Sequence, residues 1–135
     1  MAAKRSVEST WRGGWRCEVK AGDFVLMSDE PESVGGTNSG PQPTEIFLAA
    51  IASCFTLAIA YSARKQSITL DGLIVTVTGV YDGPRFRSID ISSRLGCDPA
   101  DVEPLVRAAE QVCYVTNTIR SNVELVIEGA ALARS

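Results

Sequence analysis

The chain has 135 residues, a length that fits one domain, and a formal net charge of −3, which argues against nucleic acid as a partner. It contains no histidine, so a Ser-His-Asp triad, a Cys-His pair and a histidine-based metal site are all excluded. Four cysteines lie 37, 43 and 16 residues apart, which is not the close pairing of a four-thiolate zinc site.

The first residues, Met1 to Ser9, are polar and charged and carry no secretory signal. The expected location is therefore the cytoplasm, where cysteines are more often free or catalytic than structural. No polybasic run points to a membrane surface. From Val7 to Val19 the residues Trp11, Trp15, Cys17 and Val19 fall at alternating positions, the period of a strand, with Gly13 and Gly14 as a turn or bulge. Ala21-Gly22-Asp23 reads as a hairpin turn and Phe24 to Met27 as the return strand. Ser28 to Gln42, with Pro31, Gly35, Gly36, Gly40 and Pro41, is a loop that delivers the chain to the next element. Its length is unusual for a plain connector.

Pro43 to Lys65, PTEIFLAAIASCFTLAIAYSARK, is the centre of the pattern. From Ile46 to Ala63 it carries no charge, and five alanines between Ala49 and Ala60 favour helix. Pro43 suits a first turn, Glu45 suits the positive end of the helix dipole, and Arg64 and Lys65 suit the negative end. Apolar residues on every side predict a long buried central helix. The run also reaches the length of a membrane span, but the strands flanking it need an apolar surface to cover, which favours a soluble fold. A fully apolar helix is a large load for so small a chain, and a homodimer sharing that helix resolves it.

Ile68 to Val80 contains the alternating segment Ile74-Thr-Val-Thr, Asp82-Gly83-Pro84 is a turn, and Phe86 to Leu95 alternates again, giving a second antiparallel hairpin. Asp98-Pro-Ala-Asp opens a second helix, with Asp101 read as the N-cap and Pro104 in the first turn. Val102, Leu105, Val106, Ala109, Val112 and Cys113 share one face of it. Asn117 to Arg120 adds a short helical turn, and Asn122 to Leu132 reads as a final strand. Strands grouped around helices without βαβ alternation make the fold class α+β.

Periodicity places Cys54 and Cys113 on helices and facing inward. Two inward thiols on packed helices can meet and share an oxidation cycle, although a buried cysteine is often only a small hydrophobe. Cys17, on a strand, and Cys97, in a turn, carry no such signal.

Three stretches resemble the OsmC/Ohr family, the osmotically inducible and organic hydroperoxide resistance proteins. Gly35 to Phe55, GGTNSGPQPTEIFLAAIASCF, resembles the family's glycine-rich loop and cysteine helix. Cys113 to Leu125, CYVTNTIRSNVEL, is similar to the Ohr-type Cys-Pro-x-Ser-Asn-x-x-Arg-x-Asn segment at Cys113, Asn117, Arg120 and Asn122. Trp11 to Val19, WRGGWRCEV, is a looser match to the N-terminal strand. The resemblance implies antiparallel sheets wrapped around the central helix and an intertwined homodimer with active sites at its interface. It also implies a thiol-dependent peroxidase for organic hydroperoxides, in oxidative stress defence.

By position, Cys54 looks like the peroxidatic thiol and Cys113 the resolving one, with an external dithiol as reductant and no cofactor. Apolar neighbours such as Phe47, Phe55 and Leu57 would favour a substrate with a hydrocarbon tail. Burial raises a thiol pKa, so a cation must offset it. In the family this is an arginine held by a glutamate. Here Arg16 is preferred and Arg12 is the alternative.

Glu45 stands in for the acid, but it lies nine residues before Cys54, and Thr44 holds the tenth place, where the best-known peroxidases carry glutamate. Nine residues is about 900° of helix, so Glu45 would face away from Cys54, leaving it to cap the helix or serve the dimer mate. Tyr114 stands where the peroxidase pattern has proline. Both departures resemble the OsmC-like branch, for which a non-enzymatic dimer binding an apolar small molecule at its interface is the alternative.

Overall fold

The computed structural model describes residues 2–134, in the order β1 (Glu8–Trp11), β2 (Cys17–Ala21), β3 (Phe24–Ser28), α1 (Pro43–Lys65), β4 (Leu73–Asp82), β5 (Arg85–Leu95), α2 (Pro99–Val112) and α3 (Tyr114–Arg120). The fold class is α+β, with small antiparallel sheets and one long helix. The described residues group into two compact units, 2–53 with 76–92 and 54–75 with 93–134, so α1, β4 and β5 each run through both.

In the first unit β1, β2 and β3 form an antiparallel meander. Gly22 takes the φ of 62° demanded by the first position of its two-residue hairpin loop. The β1–β2 connection is tighter than alternation through Trp15 suggests. Arg12 N–H reaches Arg16 O at 2.9 Å, Gly13 and Gly14 adopt positive φ, and Trp15 lies in the turn rather than on a strand.

The loop from Asp29 to Gln42 is organised by one buried carboxylate. Asp29 is 0% exposed and accepts from the N–H groups of Glu30 (2.7 Å), Thr37 (3.2 Å) and Ser39 (3.0 Å) and from the hydroxyls of Thr37 (2.6 Å) and Ser39 (2.8 Å). A short 3-10 turn, Glu32–Val34, sits inside the loop. Gly36 passes so close to Glu30 that any Cβ there would overlap the Glu30 carbonyl.

The helix α1 then starts where the sequence places it. Glu45 Oε1 accepts Gln42 N–H at 2.9 Å, closing one orphan donor of the first turn, while Gln42 Nε2 donates to Glu30 Oε2 at 2.8 Å. In the same unit Phe47 stacks on Phe86 with ring centroids 6.2 Å apart, Tyr81 packs on Phe86 at 4.8 Å, and Gly79 leaves room for that ring.

Ile51, Phe55, Ala58, Ile59, Ser62 and Ala63 of α1 are buried, a stripe of helical period. Phe47, Leu57 and Tyr61 are exposed. The expectation of burial on every side is corrected: the single chain covers one face of α1 and leaves the other exposed. β4 and β5 form the second hairpin, turned at Gly83 with φ 60°. Residues 68–72, expected as the start of that strand, lie outside it.

Three expectations for the C-terminal part are corrected. Asp98, not Asp101, caps α2: its carboxylate accepts Ala100 N–H at 2.9 Å and Pro99 takes the first helical position, so Pro104 lies inside the helix. Cys113 is not helical but joins α2 to α3 in an extended conformation. Asn122 to Leu132 forms no strand. Its β-branched residues have the propensity, but among the described residues no strand pairs with it, and Leu125, Val126, Ile127 and Leu132 are all more than three-quarters exposed.

Candidate active site: a thiol pair beside an open cleft

The two cysteines singled out in sequence meet in the second unit. Cys54 comes from the middle of α1 and is half-buried; Cys113 comes from the α2–α3 junction and is 0% exposed. The junction is fixed by its own backbone. Cys113 N–H donates to Ala109 O at 3.0 Å, ending α2, and Asn117 N–H donates to Cys113 O at 3.0 Å, starting α3. Leu105 and Ala109 of α2 are fully buried and seat the preceding turns.

The Cys54 side chain lies within hydrogen-bonding reach of the Cys113 sulfur. Burial alone would raise the Cys113 pKa. The Thr116 hydroxyl, the Thr116 N–H, the Cys54 thiol and the Val115 N–H outweigh it, and the Cys113 thiol is held below its ordinary range. The two N–H groups face the sulfur without the side chain closing a full cap on α3. Thr116 Oγ1 also lies 3.4 Å from the Cys113 carbonyl oxygen, so its single proton has two acceptors within reach.

Beside the pair opens a cleft of about 850 Å³. Cys54, Leu57, Ala58 and Tyr61 of α1 form one wall; Gln111, Val112, Tyr114, Asn117, Thr118 and Ser121 form the other. The α1 wall is mostly apolar and the second wall mixed, with Tyr114 84% exposed. Cys54 is the thiol that reaches this cleft, and Cys113 lies behind it.

The remaining residues singled out in sequence have other engagements. Arg16 Nη2 donates to Arg12 O at 3.2 Å, and Arg12 Nε pairs with Glu18 Oε2 at 3.1 Å. Glu45 closes the first turn of α1, and Thr44 shares a hydrogen bond of 2.8 Å with the Tyr81 hydroxyl. Of the apolar neighbours named for Cys54, Leu57 lines the cleft, Phe55 is buried and Phe47 stacks on Phe86. Cys97 stays apart: burial, with Asp101 and Asp98 adding to it, raises its thiol pKa and disfavours a thiolate. Thr116 was not singled out in sequence. The signal available was its place three residues after Cys113, within one helical turn.

The sequence profile of the OsmC-like protein family matches residues 36–128, which span both cysteines. An organic hydroperoxide resistance protein of Xanthomonas axonopodis pv. citri is 30% identical over 130 residues, covering 90% of this chain and 92% of that protein. Among solved structures, an organic hydroperoxide resistance protein of Legionella pneumophila is 27% identical with a TM-score of 0.65, covering 91% of this chain and 95% of its own. An OsmC-like protein of Mycoplasma pneumoniae superposes with a TM-score of 0.78 at 17% identity, covering 89% of each chain, and shares the fold. With a matching profile across both thiol segments and the same architecture in solved relatives, the chain belongs to the OsmC-like family.

Proposed function

We propose that the protein is a two-cysteine peroxidase that reduces organic hydroperoxides to alcohols in oxidative stress defence. The observation that carries this reading is the Cys54–Cys113 contact at the edge of an open cleft with an apolar wall. The names of relatives at about this identity, organic hydroperoxide resistance proteins, support the same substrate class.

The cycle needs no histidine, metal or bound cofactor. The attacking sulfur is Cys54, which reaches the cleft, and it attacks as the thiolate. The Cys54 thiolate attacks the distal peroxide oxygen; the O–O bond breaks, and the alkoxide leaves and takes up a proton. The Cys54 sulfenic acid then condenses with Cys113, forming the S–S bond and releasing water. An external dithiol returns two electrons, at a rate set by access and thiol acidity. Leu57 and Tyr61 give a hydrocarbon tail an apolar surface, an advantage hydrogen peroxide does not share.

The family resemblance makes Arg16, with Arg12 as the alternative, our candidate for the cation that favours a Cys54 thiolate. Glu45 is our candidate for the family's acid, and its carboxylate closes the first turn of α1. The functional unit is a homodimer in the cytoplasm, with no nucleic acid or membrane partner. The exposed apolar residues of 122–132 are the surface that a second copy covers.

Cys54→Ser abolishes turnover in this scheme, while Cys113→Ser consumes about one equivalent of peroxide and stalls at the sulfenic acid. Normal turnover of Cys113→Ser with a dithiol would remove its resolving role. The competing reading, a dimer that binds an apolar small molecule without chemistry, draws on the same cleft. It predicts that Cys54 alkylates near neutral pH no faster than an ordinary thiol.

A further inference from the structure

The thiol pair is asymmetric. Cys54 lines the cleft, whereas Cys113 is completely enclosed and forms none of its wall. A thiolate reduces a disulfide by attacking one sulfur and expelling the other, so access selects the sulfur attacked, and the more acidic thiol leaves faster. Access selects Cys54 here, and the hydrogen-bond donors around the Cys113 sulfur favour its departure as thiolate.

We propose that the external dithiol attacks Cys54 and expels Cys113, with Thr116 as the positioning residue that stabilises the departing Cys113 thiolate. The inference rests on the Cys54–Cys113 disulfide of the function proposed above. The incoming thiolate forms a bond to Cys54 Sγ; the Cys54–Cys113 bond breaks and its electron pair stays on Cys113. The second thiolate of the reductant then attacks the reductant's own sulfur in the mixed disulfide, closing a cyclic disulfide and releasing Cys54 as thiolate. The dithiol loses two electrons, and its protons return to the two cysteines.

Thr116 is placed for this task. In the resting chain its hydroxyl lies within hydrogen-bonding reach of the Cys113 carbonyl oxygen. Rotation about one bond turns the same proton onto the sulfur as charge develops there. The N–H groups of Val115 and Thr116 already face that sulfur, and the raised acidity of the Cys113 thiol is the resting trace of this environment. Cys54 carries the mixed disulfide in a cleft of about 850 Å³, large enough for a small dithiol to remain attached while it cyclises.

The test prepares the disulfide in two arms, one oxidised with cumene hydroperoxide and one with diamide, which needs no peroxidase activity. Each is treated with cysteamine, a monothiol that cannot cyclise, quenched in acid, and alkylated with N-ethylmaleimide after denaturation for peptide mapping. The expected product carries cysteamine on Cys54 and maleimide on Cys113, in about tenfold excess over the reverse product. An excess of cysteamine on Cys113 overturns the inference. Thr116→Val should slow the cysteamine step about tenfold and raise the pH at which Cys113 alkylates, and Thr116→Ser should restore both. A Thr116→Ser variant as slow as Thr116→Val overturns the positioning role. A disulfide in the diamide arm alone refutes the peroxidase reading and still reports the direction of attack. A disulfide in neither arm refutes both.

Discussion

At the scale of single residues, a heavily hydrogen-bonded side chain lies away from the thiol site. Asp29 gathers five donors from residues 30–39, and these hold its carboxyl well below the usual range, the Thr37 hydroxyl first and the Ser39 N–H next, against the opposing effect of burial. A depressed folded-state pKa means stability that is fully present above the ordinary aspartate value and lost as the pH falls below it. Asp29→Asn should therefore lower the melting temperature at pH 7, with the deficit shrinking as the pH is taken below about 4, read by thermal melts across that range. An equal deficit at pH 7 and pH 3 would contradict the role assigned to the charge. Nothing in the sequence marked Asp29, because its hydroxyl donors lie eight and ten residues away and loop sequences carry no period from which to infer such contacts. Gly36 is a second residue-scale test. Its Cβ-free approach to Glu30 predicts that Gly36→Ala destabilises the same loop, seen as faster proteolysis within residues 29–42.

At the scale of elements, α1 was the most legible part of the chain. Pro43, Glu45, Arg64 and Lys65 mark its ends by local chemistry alone, and the helix spans Pro43–Lys65. Its burial was less legible, since an all-apolar pattern cannot tell which side a single chain covers. Ile59 is 0% exposed and Ile59→Ala should cost about 2–5 kcal/mol in denaturant unfolding. Leu57, 67% exposed on the other side of the helix, should cost well below that as Leu57→Ala while weakening turnover of bulky hydroperoxides. Equal losses would mean that the buried stripe is misassigned. The hairpins were legible because Gly22 and Gly83 mark turns that few other residues can make. The start of α2 was not, because two aspartates flank Pro99-Ala100 and either satisfies the composition of a cap. Only the Asp98 bond to Ala100 N–H decides between them.

At the scale of the whole molecule, the strand expected over Asn122 to Leu132 shows why propensity alone was not enough. A strand exists through its neighbour, and this segment presents Leu125 at 81% and Ile127 at 89% exposure with no ladder among the described residues. The proposed homodimer gives that surface a place. Sedimentation at micromolar concentration should show a dimer, and Ile127→Asp should shift it towards monomer; a wild-type monomer would contradict the assembly. The thiol pair itself was legible from the inward face each cysteine was assigned and from the resemblance of its two segments to the family, although Cys113 is extended rather than helical. The environment of Cys113 was not, because it depends on the turn that α3 makes immediately after it.

The central claim is that Cys54 and Cys113 form one redox unit driven by organic hydroperoxide. The most direct test is to count free thiols in the reduced protein after one equivalent of cumene hydroperoxide, with hydrogen peroxide in parallel and Cys54→Ser as control. The account predicts rapid loss of two thiols with the organic peroxide, slower loss with hydrogen peroxide, and none in Cys54→Ser. Retention of all four thiols over minutes with the organic peroxide would contradict it.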